Sequence, residues 1–316
     1  MRAIDNNSMA KIMAQGANSL KSIFYALAAN GSIAVAKGIA AWITGSGAML
    51  AEAIHSTADC IKQLLLLVGL KKAKRPPSNN YPLGYGKEIY FWSFLVAIFL
   101  FSMGGLFSVY EGWHKLHDPE PLRSPWLAVG VLVFAVVAEG LSLLGCIREI
   151  NKIRPPGQSL WRWFRETRES DLMVVLGEDI AALFGLFFAL IALLAAIATG
   201  NPFYDALGSI AIGVLLIIVA VLVGTEVKAL LVGQGVEPWV KKNMLEWLNQ
   251  RSEIDKVFNV VTLRMGNDVL VAVKASVIES ENSAALMVER INTVEAAFKA
   301  NFPNVLWLFF EPDNAD

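Results

Sequence analysis

The sequence predicts an α-helical membrane protein with six transmembrane helices and a small C-terminal α+β domain. Hydrophobic residues make up 55% of its 316 residues and charged residues only 17%, with a mean hydropathy of +0.49. A soluble globular protein rarely carries so few charges. Several windows reach the roughly 20 mostly apolar residues that a membrane-spanning helix needs. The stretch 231–316, by contrast, has the composition of an ordinary soluble domain.

The apolar windows divide the chain into three regions. A cytoplasmic N-terminal segment is expected at 1–20, a six-helix transmembrane domain at 21–230 and a cytoplasmic C-terminal domain at 231–316. Within the transmembrane domain, a cytoplasmic loop is expected at about 148–171. The six predicted spans lie at about 21–44, 47–70, 88–112, 124–147, 172–199 and 203–227.

The distribution of Lys and Arg predicts the orientation in the membrane. Basic residues collect after the second span, between the fourth and fifth spans, and after the sixth, while the loops after the first and fifth spans are nearly uncharged. Cytoplasmic loops carry the excess of Lys and Arg, so both termini are expected in the cytoplasm. The expected location is the bacterial inner membrane.

The C-terminal region predicts a small αββαβ layer. The two central strands are rich in β-branched residues, and Gly266-Asn267-Asp268 between them is typical of a hairpin turn. The predicted elements are a helix at 236–250, strands at Val257–Met265 and Val269–Val277, a helix at Asn282–Lys299 and a strand at Asn304–Phe310.

Ionisable residues inside the predicted spans indicate an ion pathway. His55 and Asp59 are four residues apart, so they lie one above the other on one face of the second span. At membrane depth such groups require a partner, water or a metal. Counting residues from the cytoplasmic ends brings Asp179 of the fifth span to a similar depth. One imidazole and two carboxylates suit Zn²⁺, and also Mn²⁺, Fe²⁺ or Co²⁺, as the transported ion.

Further charged residues leave several roles open. Glu178 lies about 100° around the helix from Asp179, so it serves as a fourth metal ligand, a proton acceptor or the partner of a cation. Lys62 is expected to pair with Glu139, although it also lies on the His55 side and is able to neutralise Asp59 when no metal is bound. The alternative to a metal site is that Asp59 and Asp179 pair with lysines and only hold helices together.

Other function classes have little support in the sequence. No nucleophile and base set, phosphate loop or cofactor motif is recognisable, so neither an enzyme nor an organic cofactor is expected. The net charge is −1 and no basic cluster argues for nucleic acid. Two rival functions remain. One is proton-coupled transport of a non-metal substrate, and the other is a membrane scaffold or metal-dependent regulator that transports nothing.

Three motifs resemble the cation diffusion facilitator family. They are TGSGAMLAEAIHSTAD at 44–59, YPLGYGKE at 81–88 and FEP at 310–312. Two runs, GYGKEIYFW at 84–92, which overlaps the second motif, and LGED at 176–179, look most like the zinc transporter 9-like branch. The resemblance implies a homodimeric carrier in the lipid bilayer that exports divalent metal, commonly against protons. It also implies a transport site shared by the second and fifth spans, here His55, Asp59 and Asp179.

The sequence departs from the family pattern at one ligand position. Most members have a His four residues before the fifth-span acid, and here that position is Val175. The site therefore lacks a nitrogen ligand, which leaves Glu178, Glu52 or water as a substitute. The expected mechanism is alternating access, with metal bound from the cytoplasm and released on the outer side as protons compete for the ligands.

Overall fold

Long helices occupy most of the chain before residue 233. The computed structural model describes residues 27–28, 30–35, 38–39, 42, 47–118, 125–278 and 284–315, and the side chains of 47–55, 58 and 127–128 lie outside that description. Every described residue between 27 and 42 is helical. The helices that follow are α1 (Gly47–Ala73), α2 (Glu88–Phe99), α3 (Phe107–His117), α4 (Pro125–Ile153), α5 (Leu160–Glu166), α6 (Ser170–Thr199) and α7 (Phe203–Val232).

Four helical segments of the described chain are long and apolar enough to cross a membrane. They are Glu88–His117, Val129–Ile153, Ser170–Thr199 and Phe203–Val232. Each overlaps a predicted span, and α1 likewise covers the span predicted at 47–70. Most of these helices extend beyond the apolar windows. A helix ends where the backbone leaves helical φ and ψ angles, and this point need not coincide with the end of an apolar stretch. Left-handed Gly200, at a φ of 67°, follows α6, and Gly233, at a φ of 130°, follows α7.

Glycines allow the third-span helix to pack closely against α7. The segment from α2 to α3 is continuous through a π-helical stretch at Leu100–Leu106. A β-carbon on Gly105 would lie 2.5 Å from Cγ1 of Ile217, and one on Gly213 would lie 2.7 Å from the backbone nitrogen of Val109. Small residues let membrane helices approach to backbone contact. These positions therefore fix the pairing of the third and sixth predicted spans.

A buried core joins the helices at one end of the bundle. Leu66 of α1, Tyr90 of α2, Ile150 of α4 and Val227 of α7 are fully buried in one cluster. The short helix α5 adds Trp163 and Phe164 to the same cluster, so the connection between α4 and α6 is a packed element.

The described residues of the C-terminal region form one three-stranded sheet and two helices. Helix α8 (Pro238–Asn249) precedes β1 (Ile254–Met265) and β2 (Asp268–Val277), and α9 (Ala284–Asn301) precedes β3 (Val305–Pro312). The strand order is β1-β2-β3, with β1 and β2 antiparallel and β2 and β3 parallel. Helix α9 makes the crossover that a parallel pair requires.

Alternate residues of β2 form the core of this sheet. Val269, Val271, Val273 and Ala275 are buried on one face, as the two-residue period of a strand dictates. Met244 and Leu248 of α8, Phe298 of α9 and Phe302, which follows α9, belong to the same cluster. This cluster gives the C-terminal region a hydrophobic core of its own.

The β1–β2 hairpin contacts the same end of the helix bundle. The backbone N–H of Gly266, in the turn, donates to the hydroxyl of Tyr90 at 2.9 Å in a buried hydrogen bond. A β-carbon on Gly86 would lie 1.8 Å from the carbonyl oxygen of Met265. Both glycines are therefore needed for the backbones of the loop before α2 and the hairpin turn to touch.

Candidate metal centre

One lysine connects the acids of α1 and α6. The Nζ of Lys62 lies 2.6 Å from Oδ1 of Asp59, one turn earlier on α1, and also forms an ion pair with Oε1 of Glu178 on α6. The Lys62 side chain is only 5% exposed, and those of Asp59 and Glu178 are 19% and 16% exposed. A lysine this deeply buried requires such anionic partners, because an unpaired charge in an apolar interior is costly.

Asp179 lies beside this group but faces a different helix. Its Oδ2 accepts a hydrogen bond of 3.2 Å from the hydroxyl of Ser142 on α4, and its side chain is buried. Glu139, Glu178 and Asp59 are all close enough to interact electrostatically with Asp179. Carboxylates from α1, α4 and α6 thus lie near Asp179, and Lys62 pairs with two of them, Asp59 and Glu178.

Consecutive positions on α6 explain why its two acids have different neighbours. Successive helical residues point about 100° apart. Gly177 faces α7, where a β-carbon would lie 2.8 Å from Cγ2 of Val223. Glu178 faces Lys62 of α1, and Asp179 faces Ser142 of α4. The close packing that Gly177 allows therefore orients both acids toward the other helices.

The structure brings together some, but not all, of the four residues predicted for the metal site. Asp59 and Glu178 meet at Lys62, and Asp179 is near both of them. His55 is part of α1, but its side chain lies outside the described residues. Among the side chains that the structure describes, no group of three His, Cys, Asp or Glu is arranged to hold a metal ion. The acids are instead neutralised in part by Lys62.

Three features of the site differ from the sequence interpretation or were missed by it. The partners observed for Lys62 are Asp59 and Glu178, both left open as alternatives by the sequence. Depth counting favoured Glu139, because depth gives no direction around a helix. Ser142 was missed, although it follows Glu139 by three residues and so lies on the same face of α4. The Oε1 of Gln63, buried and without a hydrogen-bond partner in the described part of the chain, was also missed.

The helix that carries Glu178 and Asp179 is tied at its start to the C-terminal sheet. Arg264 of β1 donates to Oε1 of Glu169, the residue before α6, at 2.6 Å. Arg168 donates to the carbonyl of Gly235 at 2.9 Å. Burial lowers the pKa of the Arg264 guanidinium, but Glu169 and Glu237 outweigh it and hold that pKa above its ordinary value. Arg264 therefore remains charged.

Comparison with known proteins places the chain in a family. Residues 23–232 match the cation efflux transmembrane domain. The mitochondrial proton-coupled zinc antiporter SLC30A9 of Xenopus laevis is 35% identical over 229 residues, 72% of this chain and 41% of that protein. Its Homo sapiens counterpart is 34% identical over 229 residues, 72% of this chain and 40% of that protein. Metal tolerance protein C4 of Arabidopsis thaliana is 32% identical over 219 residues, 69% of this chain and 48% of that protein.

The matches cover most of this chain but less than half the length of each of these three relatives. The matched region contains α1 to α7, and with them every residue predicted for the metal site. This integral membrane protein therefore belongs to the cation efflux family and is similar to the SLC30A9 antiporters within it.

Proposed function

We propose that this protein exports a divalent metal cation, with Zn²⁺ as the principal candidate, from the cytoplasm in exchange for protons. The observation that carries the proposal is the meeting of Asp59 from α1 and Glu178 from α6 at a buried position within the membrane-spanning region, with Asp179 beside them. Buried acids on different membrane helices are typical of ion pathways. The names of the relatives, zinc antiporters and a metal tolerance protein, agree with this chemistry.

The proposed transport site consists of His55, Asp59 and Asp179, with Glu178 as the fourth metal-binding residue. A neutral imidazole and carboxylates are ligands that Zn²⁺ accepts, and Mn²⁺, Fe²⁺ and Co²⁺ accept them too. Val175 stands where a second histidine would complete a nitrogen-rich set. Glu178 is one turn or less from both Val175 and Asp179 on α6, which supports its role as the ligand that replaces the missing histidine.

Proton exchange follows from the ligand chemistry. Histidine and carboxylate ligands bind a metal only when deprotonated, so protons and metal compete for the same atoms. In the proposed alternating-access cycle, the inward-open form binds metal at low cytoplasmic proton concentration. The outward-open form releases the metal as protons take the ligands.

The proposed architecture has six transmembrane helices in residues 21–230 and a cytoplasmic loop at about 148–171. A short cytoplasmic segment (1–20) precedes the first helix, and a cytoplasmic αββαβ domain (231–316) follows the last. Both termini face the cytoplasm of a bacterial inner membrane, and the carrier is a homodimer. The basic residues before α6 and after α7, together with the contacts of β1 on those helix ends, support a single cytoplasmic face.

Uptake into proteoliposomes tests the proposal. The purified chain is reconstituted, and uptake of Zn²⁺, Mn²⁺, Fe²⁺ and Co²⁺ is measured for the wild type and for Asp59→Asn. The matched control is Asp205→Asn, because Asp205 pairs with Lys115 at the far end of α7. We expect wild-type and control uptake of at least one ion and near-complete loss in Asp59→Asn. Uptake of none of them by the wild type, or equal uptake by Asp59→Asn, contradicts the proposal.

Zn²⁺ titration calorimetry separates the rival functions. A proton-coupled transporter of a non-metal substrate predicts no tight metal binding, whereas a metal-dependent regulator predicts binding without uptake. The proposed carrier requires both binding and uptake.

A further inference from the structure

We propose that Lys62 is a resident counter-cation of the transport site, which competes with the transported metal for Asp59 and thereby sets metal affinity. The inference rests on the proposed function, in which Asp59 is a metal ligand. It assigns a role to a residue that binds no metal itself. Lys62 is thus a positioning and affinity-determining residue.

The geometry supports direct competition. The ammonium of Lys62 lies at hydrogen-bond distance, 2.6 Å, from Oδ1 of Asp59. A divalent ion that uses the same carboxylate meets an ammonium already in place, and two cations repel each other strongly in a poorly solvated interior. Metal binding at Asp59 therefore requires that the ammonium move away.

Oε1 of Glu178 provides the place to which Lys62 retreats, while the second oxygen of that carboxylate serves the metal. Lys62 contacts Glu178 at the same time as Asp59, so it is able to leave Asp59 without losing an anionic partner. Both acids are less than one-fifth exposed, so neither charge is well compensated by water. When the metal leaves, the ammonium returns to Asp59 and neutralises it. The empty site is then never without a cation, which lowers the cost of burying its acids.

Zn²⁺ binding to three full-chain variants tests the role of Lys62. Titration calorimetry in detergent compares the wild type with Lys62→Met, which removes the charge but keeps a long side chain, and Lys62→Arg, which keeps the charge. We expect Lys62→Met to bind Zn²⁺ at least about tenfold more tightly than the wild type, because the competing cation is gone. Lys62→Arg is expected within about threefold of the wild type. A purely structural lysine predicts weaker or unchanged binding in Lys62→Met.

The matched control is Lys71→Met, the same substitution on the exposed face of the same helix. We expect its affinity to equal that of the wild type. If Lys62→Met aggregates, Lys62→Gln, which keeps an N–H donor without the charge, takes its place with the same expected tightening.

The variant Glu178→Gln provides a second, independent test of the role of Lys62. Without Glu178, Lys62 remains on Asp59, so we expect weaker Zn²⁺ binding in the single variant. In the Lys62→Met background there is no competing cation to redirect, and only the loss of Glu178 as a metal-binding group remains, so the effect of the same substitution is expected to be clearly smaller than in the wild-type background. An equal loss in both backgrounds, like an unchanged affinity in Lys62→Met, overturns the inference. Absence of Zn²⁺ binding by the wild type instead contradicts the proposed function itself.

Discussion

Arg264 on β1 and Glu169 at the start of α6 form an ion pair across the boundary between the C-terminal sheet and the membrane helices. The Nη2 to Oε1 distance is 2.6 Å, and the Arg264 side chain is 7% exposed. Glu178 and Asp179 follow on the same helix, about 14 Å further along its axis at 1.5 Å per residue. A displacement of the sheet therefore reaches the acids of the proposed transport site through one rigid element.

Removal of the Arg264 charge is expected to destabilise the protein. Arg264→Met leaves Glu169 without its guanidinium partner in a partly buried position, and such losses cost up to a few kcal/mol. We expect a melting temperature lower by about 2–8 °C, measured by tryptophan fluorescence in detergent. Arg251→Met is the matched control, because Arg251 pairs with Glu253 inside the C-terminal domain. A double variant with Glu169→Gln that is no less stable than Arg264→Met alone confirms the pairing. Additive losses argue against it.

Gly213 is expected to tolerate no side chain. A β-carbon there would lie 2.7 Å from the backbone nitrogen of Val109 and 2.8 Å from the carbonyl oxygen of Gly105. Gly213→Ala must push the third-span helix away from α7, at a cost of about 1–3 kcal/mol. The melting temperature in detergent checks this. Gly145→Ala is the control, because in the described part of the chain the added carbon meets no atom within 4 Å beyond its own helix backbone, and alanine favours a helix. Equal stability of the two variants would refute the close packing.

Ser142 is expected to tune transport through Asp179. Its hydroxyl donates to the Asp179 carboxylate, and one hydrogen bond is worth about 0.5–1.5 kcal/mol net. Ser142→Ala should raise the KM for Zn²⁺ uptake about two- to tenfold, because the carboxylate loses its orienting partner. Ser209→Ala is the control, since Ser209 bonds only the backbone of its own helix among the contacts observed. A wild-type KM in Ser142→Ala means that this hydrogen bond has no part in transport.

The proposed orientation predicts which sites a membrane-impermeant thiol reagent reaches. In a background with Cys60→Ala and Cys146→Ala, Lys152→Cys and Ser252→Cys should react only from the cytoplasmic side. Asn201→Cys, in the exposed connection between α6 and α7, should react only from the opposite side. Labelling is compared in right-side-out and inside-out vesicles. Reaction of Ser252→Cys and Asn201→Cys from the same side contradicts the topology.

Apolar length and periodicity predicted the individual elements well. The helices at 88–117, 170–199 and 203–232 overlap windows defined by hydropathy alone, and the β1–β2 hairpin turns at Gly266, where the sequence placed it. The pattern of β-branched residues and the Gly-Asn-Asp turn are local signals, so they can be recognised without knowledge of the tertiary fold.

Local sequence signals could not predict the contacts between elements that are distant in the chain. Residue counting put Lys62, Glu139 and Glu178 at comparable depths, but the direction of each side chain depends on how the helices rotate and pack. Glycines such as Gly177 decide that packing through close approach. The contact of Gly86 with Met265 joins residues far apart in the chain, and neither position carries a pattern that indicates the other.

The most direct test of the central claim follows Zn²⁺ and protons together in proteoliposomes. One dye reports internal Zn²⁺ and another internal pH while a proton gradient, acidic inside, is imposed on vesicles containing the wild type or Asp59→Asn. Proton-coupled exchange predicts that Zn²⁺ accumulates inside against its own gradient while the interior becomes more alkaline, and that Asp59→Asn does neither. Zn²⁺ entry that is indifferent to the proton gradient, or an Asp59→Asn variant that accumulates Zn²⁺ like the wild type, would contradict it.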